Sequence, residues 1–128
     1  MALIVVDASV VIAFRTPADA HPSGAVAALT GRHRRDDVVL PASAYAEVLV
    51  EPVASGPRAA ARAKRVITAF PMRVEPITGE IAERAAVLRK RLRLPDALVV
   101  ATADVLEADA VLTSDRRWAK VSRRVQVV

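Results

Sequence analysis

The sequence predicts an α/β domain built on a parallel sheet with helices on both faces. Three observations carry that expectation. Apolar strand-like runs alternate five times with helical patterns, one or two helices in each connection. The first run, Leu3 to Val6, is the continuous aliphatic kind expected of a strand buried on both faces. The stretch from Leu94 to Asp115 reads as a proline-opened apolar helix, a short turn and a strand ending in an acid.

In chain order, strand one (Leu3 to Val6) ends at Asp7, and Ala8 to Phe14 forms a short helix for which Ser9 is a plausible cap. Arg15 to Pro22 is a loop punctuated by Thr16-Pro17 and His21-Pro22, followed by a helix from Ser23 to Thr30 that Gly31 ends. Arg32 to Asp37 is a charged connection. Val38 to Leu40 is strand two; Pro41 opens the next helix, which holds Glu47 about one turn in and is closed by Pro52 and Gly56. A helix from about Pro57 to Phe70 sets Ala63, Val66, Ile67 and Phe70 on one side and Arg58, Arg62 and Arg65 on the other.

Met72 to Glu75 is strand three, and its flanking Pro71 and Pro76 suit a sheet edge. Thr78 caps a helix whose Ile81, Ala85, Leu88 and Leu92 share a face. Pro95 suits the first position of the central helix, which places Asp96 in its first turn. Ala110 to Leu112 is strand four, Arg116 to Lys120 a helical turn, and Val125 to Val128 a last strand.

The 128 residues make one domain, 1–128, long enough for a single substantial core. With only four aromatics, Phe14, Tyr45, Phe70 and Trp118, the aliphatic residues must do most of the packing. The net charge is +5, and sixteen of the 19 basic residues are arginine, a mild push toward a polyanionic partner. There is no cysteine, which excludes disulfides, thiolate nucleophiles and Cys-ligated zinc. His21 and His33 have no metal-ligand spacing. The N-terminal apolar run lacks a basic leader and no run reaches membrane-span length, so a cytoplasmic protein without a membrane partner is expected.

Four carboxylates fall near strand carboxyl ends, where doubly wound sheets bind their ligands: Asp7, Glu47, Asp96 and Asp115. Each has a bland alternative, a helix-dipole partner for Asp96, a cap for Asp115, a solvated position for Glu47 and a strand end for Asp7. Converging carboxylates about 4 Å apart would repel by about 4 kcal/mol per pair at an effective dielectric near 20. Several such pairs rival a small domain's stability of roughly 5–15 kcal/mol. With only Arg116 and Arg117 inside the motifs, the expected counter-charge is a divalent cation, Mg²⁺ or Mn²⁺ for an all-oxygen site. Such an ion supports phosphodiester cleavage without a histidine base.

The strand ending in Asp7-Ala8-Ser9, Glu47 after Pro41-Ala42-Ser43, the run Pro95-Asp96-Ala97-Leu98-Val99-Val100-Ala101-Thr102-Ala103, and Val111-Leu112-Thr113-Ser114-Asp115 resemble PIN-domain ribonucleases, most of all the VapC-type toxins of toxin–antitoxin pairs. The resemblance spans the whole chain in the same order. It implies a three-layer fold with a five-stranded parallel sheet of order 3-2-1-4-5, and makes Asp7, Glu47, Asp96 and Asp115 the catalytic, metal-holding cluster, with Ser9 and Thr113 in support. It implies an Mg²⁺-dependent endoribonuclease in which a metal-activated water cleaves RNA, with a cognate antitoxin and a homodimer. Arg116 and Arg117 are candidate RNA contacts, which position a strand without reading bases. Two rivals stand beside it: a degenerate module that binds RNA or protein without cleavage, and an aspartyl-phosphate phosphotransferase with Asp7 as nucleophile, whose usual second acid is Ser9 here.

Overall fold

A computed structural model describes residues 2–15, 36–70 and 72–128, with the side chains of 14 and 15 left out. Its elements are β1 (Leu3–Val6), α1 (Ala8–Arg15), β2 (Asp37–Pro41), α2 (Ala42–Ser55), α3 (Pro57–Ala69), β3 (Met72–Glu75), α4 (Gly79–Leu88), α5 (Leu94–Val105), β4 (Ala110–Thr113), the 3₁₀ helix η1 (Arg116–Lys120) and β5 (Val125–Val127). The expected loop after Arg15, the helix from Ser23 to Thr30, most of the charged connection and both histidines lie outside the described residues.

All strand pairs are parallel, in the order β3-β2-β1-β4-β5. The parallel sheet of order 3-2-1-4-5 flanked by helices is thus the one expected, with the Ser23 to Thr30 helix outside the described residues. Burial follows position: β1, β2 and β4 are buried along nearly their whole length, whereas β3 and β5 keep exposed residues as edges do. The prolines around β3 therefore mark a real edge.

The order reverses between β1 and β4, which run side by side with Val6 opposite Leu112. Their starts are pinned by Asp109, whose carboxylate accepts from the Leu3 N–H at 2.8 Å while its own N–H donates to the Leu3 carbonyl at 2.8 Å. Their ends are pinned where the Asp7 N–H donates to the Leu112 carbonyl at 2.9 Å. Asp7 and Thr113 are therefore neighbours across the sheet, although 106 positions separate them.

Helix α5 is central because six of its residues, Ala97, Val99, Val100, Ala101, Thr102 and Ala103, are buried. Its alanines let it approach α4 and the sheet closely. Thr102 satisfies its buried hydroxyl by donating to the Leu98 carbonyl at 2.7 Å. Thr78 caps α4 as expected, its Oγ1 accepting from the Ile81 N–H at 3.2 Å.

Local rules misplace three boundaries. Pro52 does not close α2: it is buried inside the helix, which runs on to Ser55, so packing outweighs the backbone bond that proline removes. Pro41 ends β2 and precedes α2 as its N-cap instead of opening it. Helix α4 ends at Leu88, and Leu92 is buried from the following turn, so its recurrence at helical spacing reflects a shared core and not a continuous helix.

The turn out of α5 puts Glu107 at φ 52°, the only described non-glycine residue in the left-handed region. A side chain is disfavoured there, and a glycine is not. Glu107→Gly is expected to stabilise the fold by about 0.5–1 kcal/mol. Urea unfolding checks this, and a lowered midpoint would show that the exposed Glu107 side chain contributes more than its backbone costs.

Candidate acidic site

The carboxyl ends of β1 and β4 supply the centre of the site. Asp7 follows β1 and is only 8% exposed. One of its carboxylate oxygens accepts from the Ala8 N–H at 2.8 Å, at the start of α1. The other accepts from Ser9 Oγ at 2.8 Å and Thr113 Oγ1 at 3.0 Å. Burial pushes the Asp7 carboxyl above its ordinary range, and these hydrogen bonds hold it down in part.

Ser9 is therefore not a helix cap, as one sequence reading has it. It lies within α1, donates to Asp7, and its Oγ accepts from the Ser114 N–H at 3.2 Å. Thr113 is fully buried and also accepts, from the Asp115 N–H at 3.1 Å. The two hydroxyls thus link the loop after β4 to Asp7 and fix the direction of its oxygens.

Asp96 enters from the first turn of α5, as Pro95 at the helix start dictates. Burial raises its pKa, the Asp7 and Asp115 charges raise it further, and Arg93 and Arg117 oppose them. Glu47 enters from α2 and is the most exposed of the four acids. Burial, then the charges of Asp7 and Asp96, raises its pKa against the pull of Arg93. The structure therefore brings all four acids into one electrostatic neighbourhood.

Asp115 differs from the others. Its carboxylate accepts from the Arg117 N–H at 2.9 Å, capping η1, and is gripped by the Arg117 guanidinium at 2.9 Å from Nε and 2.6 Å from Nη2. Arg117 holds the Asp115 carboxyl below its ordinary pKa. The cap that is Asp115's bland reading is thus real, and it coexists with a place beside Asp96. Arg116 opens η1 and is exposed.

Arg93 is the residue sequence reasoning missed. It is the N-cap residue of α5, and its Nε lies 4.0 Å from Asp96 Oδ2. Its position three residues before Asp96 at a helix start was the available signal. With Arg117, it means that part of the counter-charge comes from the chain itself, beside whatever a divalent cation supplies.

Among the described residues, no group of three or more Asp, Glu or His side chains forms a ready-made ion cage. The donor chemistry nonetheless fits a hard divalent cation: oxygens only, with the pKa values of Glu47 and Asp96 lifted partly by neighbouring carboxylates. A depression of about 280 Å³ lies between α2 and α3, and none of the four acids lines it.

A doubly wound parallel sheet with acids gathered at its strand-order reversal defines a class of small α/β domains that act at the carboxyl edge of the sheet. Residues 4–124 match the model of one such family, and the chain belongs to it: this is a PIN domain. Similar solved structures include a toxin–antitoxin complex from Klebsiella pneumoniae, with TM-score 0.76 and 21% identity over 97% of this chain and 96% of that one. Mycobacterium tuberculosis VapC20, a sarcin–ricin loop cleaving toxin, gives TM-score 0.76 and 21% identity over 93% and 95%. VapBC2 from Rickettsia felis, bound to a DNA fragment of its promoter, gives 0.76 and 11% over 98% of each chain. Comparison with curated protein sequences gives no match.

Proposed function

We propose that the chain is an Mg²⁺-dependent endoribonuclease and the toxin of a toxin–antitoxin pair, the whole chain acting as one nuclease domain. The observation that carries this reading is the convergence of the acids: beyond burial, the charge of Asp7 raises the pKa of both Glu47 and Asp96, which come from different elements of a PIN domain. The likeness to toxins and toxin–antitoxin complexes supports it, including an antitoxin partner.

Asp7 and Asp96 are the first residues to hold a divalent ion, with Mn²⁺ as a substitute for Mg²⁺, and Glu47 and Asp115 complete the oxygen set. Such an ion, when bound, polarises a phosphate and lowers the pKa of water. Ser9 and Thr113 fix the direction of the Asp7 oxygens by donating to one of them. Arg116 and Arg117, exposed in the turn after Asp115, steer the strand by charge. The protein acts as a homodimer in the cytoplasm; no described helix is long and apolar enough to cross a membrane.

The engaged Asp7 carboxylate, with three donors on its two oxygens and little exposure, argues against its use as an aspartyl-phosphate nucleophile. Purified, antitoxin-free protein is expected to cut total RNA with Mg²⁺ and to stop on addition of EDTA. Mapping the cut ends identifies the substrate. RNA that stays bound but uncut with Mg²⁺ or Mn²⁺ would instead identify a degenerate, non-cleaving module.

A further inference from the structure

Beside Asp96 and Asp115 the surface opens into a cleft of about 110 Å³, between the α4–α5 connection and η1. Three arginines line it: Arg91, Arg93 and Arg117. Two of them are hydrogen-bonded to the chain: Arg91 Nη2 donates to the Lys120 carbonyl at 2.9 Å, and Arg117 grips Asp115. Arg93 Nε lies 4.0 Å from Asp96 Oδ2, oriented by charge without a hydrogen bond. The side chains of Arg93 and Arg117 remain 80% and 82% exposed, so both are open to a ligand.

Three guanidiniums against two carboxylates leave the cleft with one net positive charge, beside a centre that is otherwise acidic. Guanidinium forks match phosphate oxygens in pairs. An arginine set of this kind around a small opening therefore suits a single phosphate group. Asp96 and Asp115 belong both to the cleft and to the acidic centre, so the cleft adjoins that centre.

We propose that this cleft is a phosphate subsite: Arg91, Arg93 and Arg117 together hold one phosphodiester of the RNA strand next to the phosphate at the acids. The proposal rests on the nuclease reading for its substrate. It adds Arg91 and Arg93 to the strand contacts and gives Arg117 a partner beyond Asp115.

The test measures binding without cleavage. The full chain in EDTA is titrated with a short fluorescent single-stranded oligouridylate at a series of salt concentrations, and the slope of log Kd against log salt is read. The Arg91→Ala/Arg93→Ala double variant is expected to bind about 10-fold more weakly. Its slope should fall by about 0.7, the value for loss of one phosphate contact on a single strand. Arg84→Ala, which removes an arginine paired with Asp104, keeps the wild-type slope. An unchanged slope in the double variant, or no binding by the wild type, overturns the subsite. A fall of about 1.4 also overturns it, because each arginine would then hold its own phosphate. If fluorescent polyglutamate loses affinity in the double variant while the oligouridylate does not, the cleft takes protein carboxylates and the proposal fails. Absence of cleavage with every metal would sink the nuclease reading alone, since the slope is read without it.

Discussion

Asp96→Asn is expected to lower RNA cleavage by about two to three orders of magnitude, the scale of removing one preorganised polar group from an active site. The same change should make the metal-free protein more stable at neutral pH. Asp96 keeps a place in the first turn of α5, where the helix dipole favours a negative charge by roughly 0.3–1 kcal/mol. Arg93 and Arg117 add to that attraction, yet the pKa is raised, so burial and the charges of Asp7 and Asp115 outweigh all three. Asparagine keeps the shape and removes the conflict.

The pH dependence follows from the same directions. Asp7, Glu47 and Asp96 have folded pKa values above their ordinary ones, so the folded state binds protons more tightly than the unfolded chain. The stability they contribute is present below the unfolded carboxyl value of about 4 and is lost as pH rises through the raised values. Asp115 runs the other way: its lowered pKa gives stability above that value which is lost as pH falls through the folded one. Three groups oppose one, and the Arg117 side chain that holds Asp115 is 82% exposed, where screening weakens the pair.

Thermal melts in EDTA should therefore show wild-type stability declining from acid toward neutral pH, and a shallower decline for Asp96→Asn. Each 1 kcal/mol gained corresponds to roughly 3–6 °C at this chain length. Added Mg²⁺ should raise the wild-type midpoint and leave the variant nearly unmoved, because only the folded state with its full acid set binds the ion. Full cleavage by the variant, or a lower neutral-pH midpoint in EDTA, would refute the role given to Asp96.

Trp118→Ala is expected to cost about 3–5 kcal/mol, the range for removing a large aromatic side chain from a core. Trp118 is 1% exposed and belongs to the main core cluster, although it sits in the five-residue 3₁₀ helix next to the site. Trp118→Phe should be far milder. The indole Nε1 is buried and, among the described residues, has no hydrogen-bond partner. An unpaired buried donor costs about 1–3 kcal/mol, so removing it offsets much of the lost packing. Urea unfolding of the two variants decides the matter: a loss for Trp118→Phe as large as that for Trp118→Ala would mean that the indole makes contacts a phenyl ring cannot replace and that its unpaired Nε1 carries no penalty. Because η1 begins at the Asp115 cap and carries Arg117, the alanine variant should also loosen the pair that holds Asp115.

Much of this was legible in the residues themselves. The aliphatic run of β1, the proline at the start of α5 and the Thr78 cap are local signals, and local backbone chemistry realises each of them. Pro52 and Leu92 misled for a common reason: proline chemistry and apolar spacing describe an isolated segment, whereas packing against the core decided where α2 and α4 ended. Ser9 looked like a cap because Ser favours helix starts, and only the strand beside it, ending in Thr113 and Ser114, shows that its hydroxyl serves Asp7. Trp118 was countable as one of four aromatics, but nothing near it in sequence marks it as core.

By itself the sequence determined the alternation of strands and helices, the proximity of each acid to a strand end or helix start, and the apolar helix that must lie at the centre. Tertiary structure alone decided that Asp7 and Thr113 touch, that Asp7 raises the pKa of both Glu47 and Asp96, and that Arg93 and Arg117 answer part of that charge. Caps and periodicity are interactions between near neighbours in the chain and are written there. Electrostatic coupling depends on separation in space, which the placing of β4 beside β1 fixes through a crossover of more than a hundred residues.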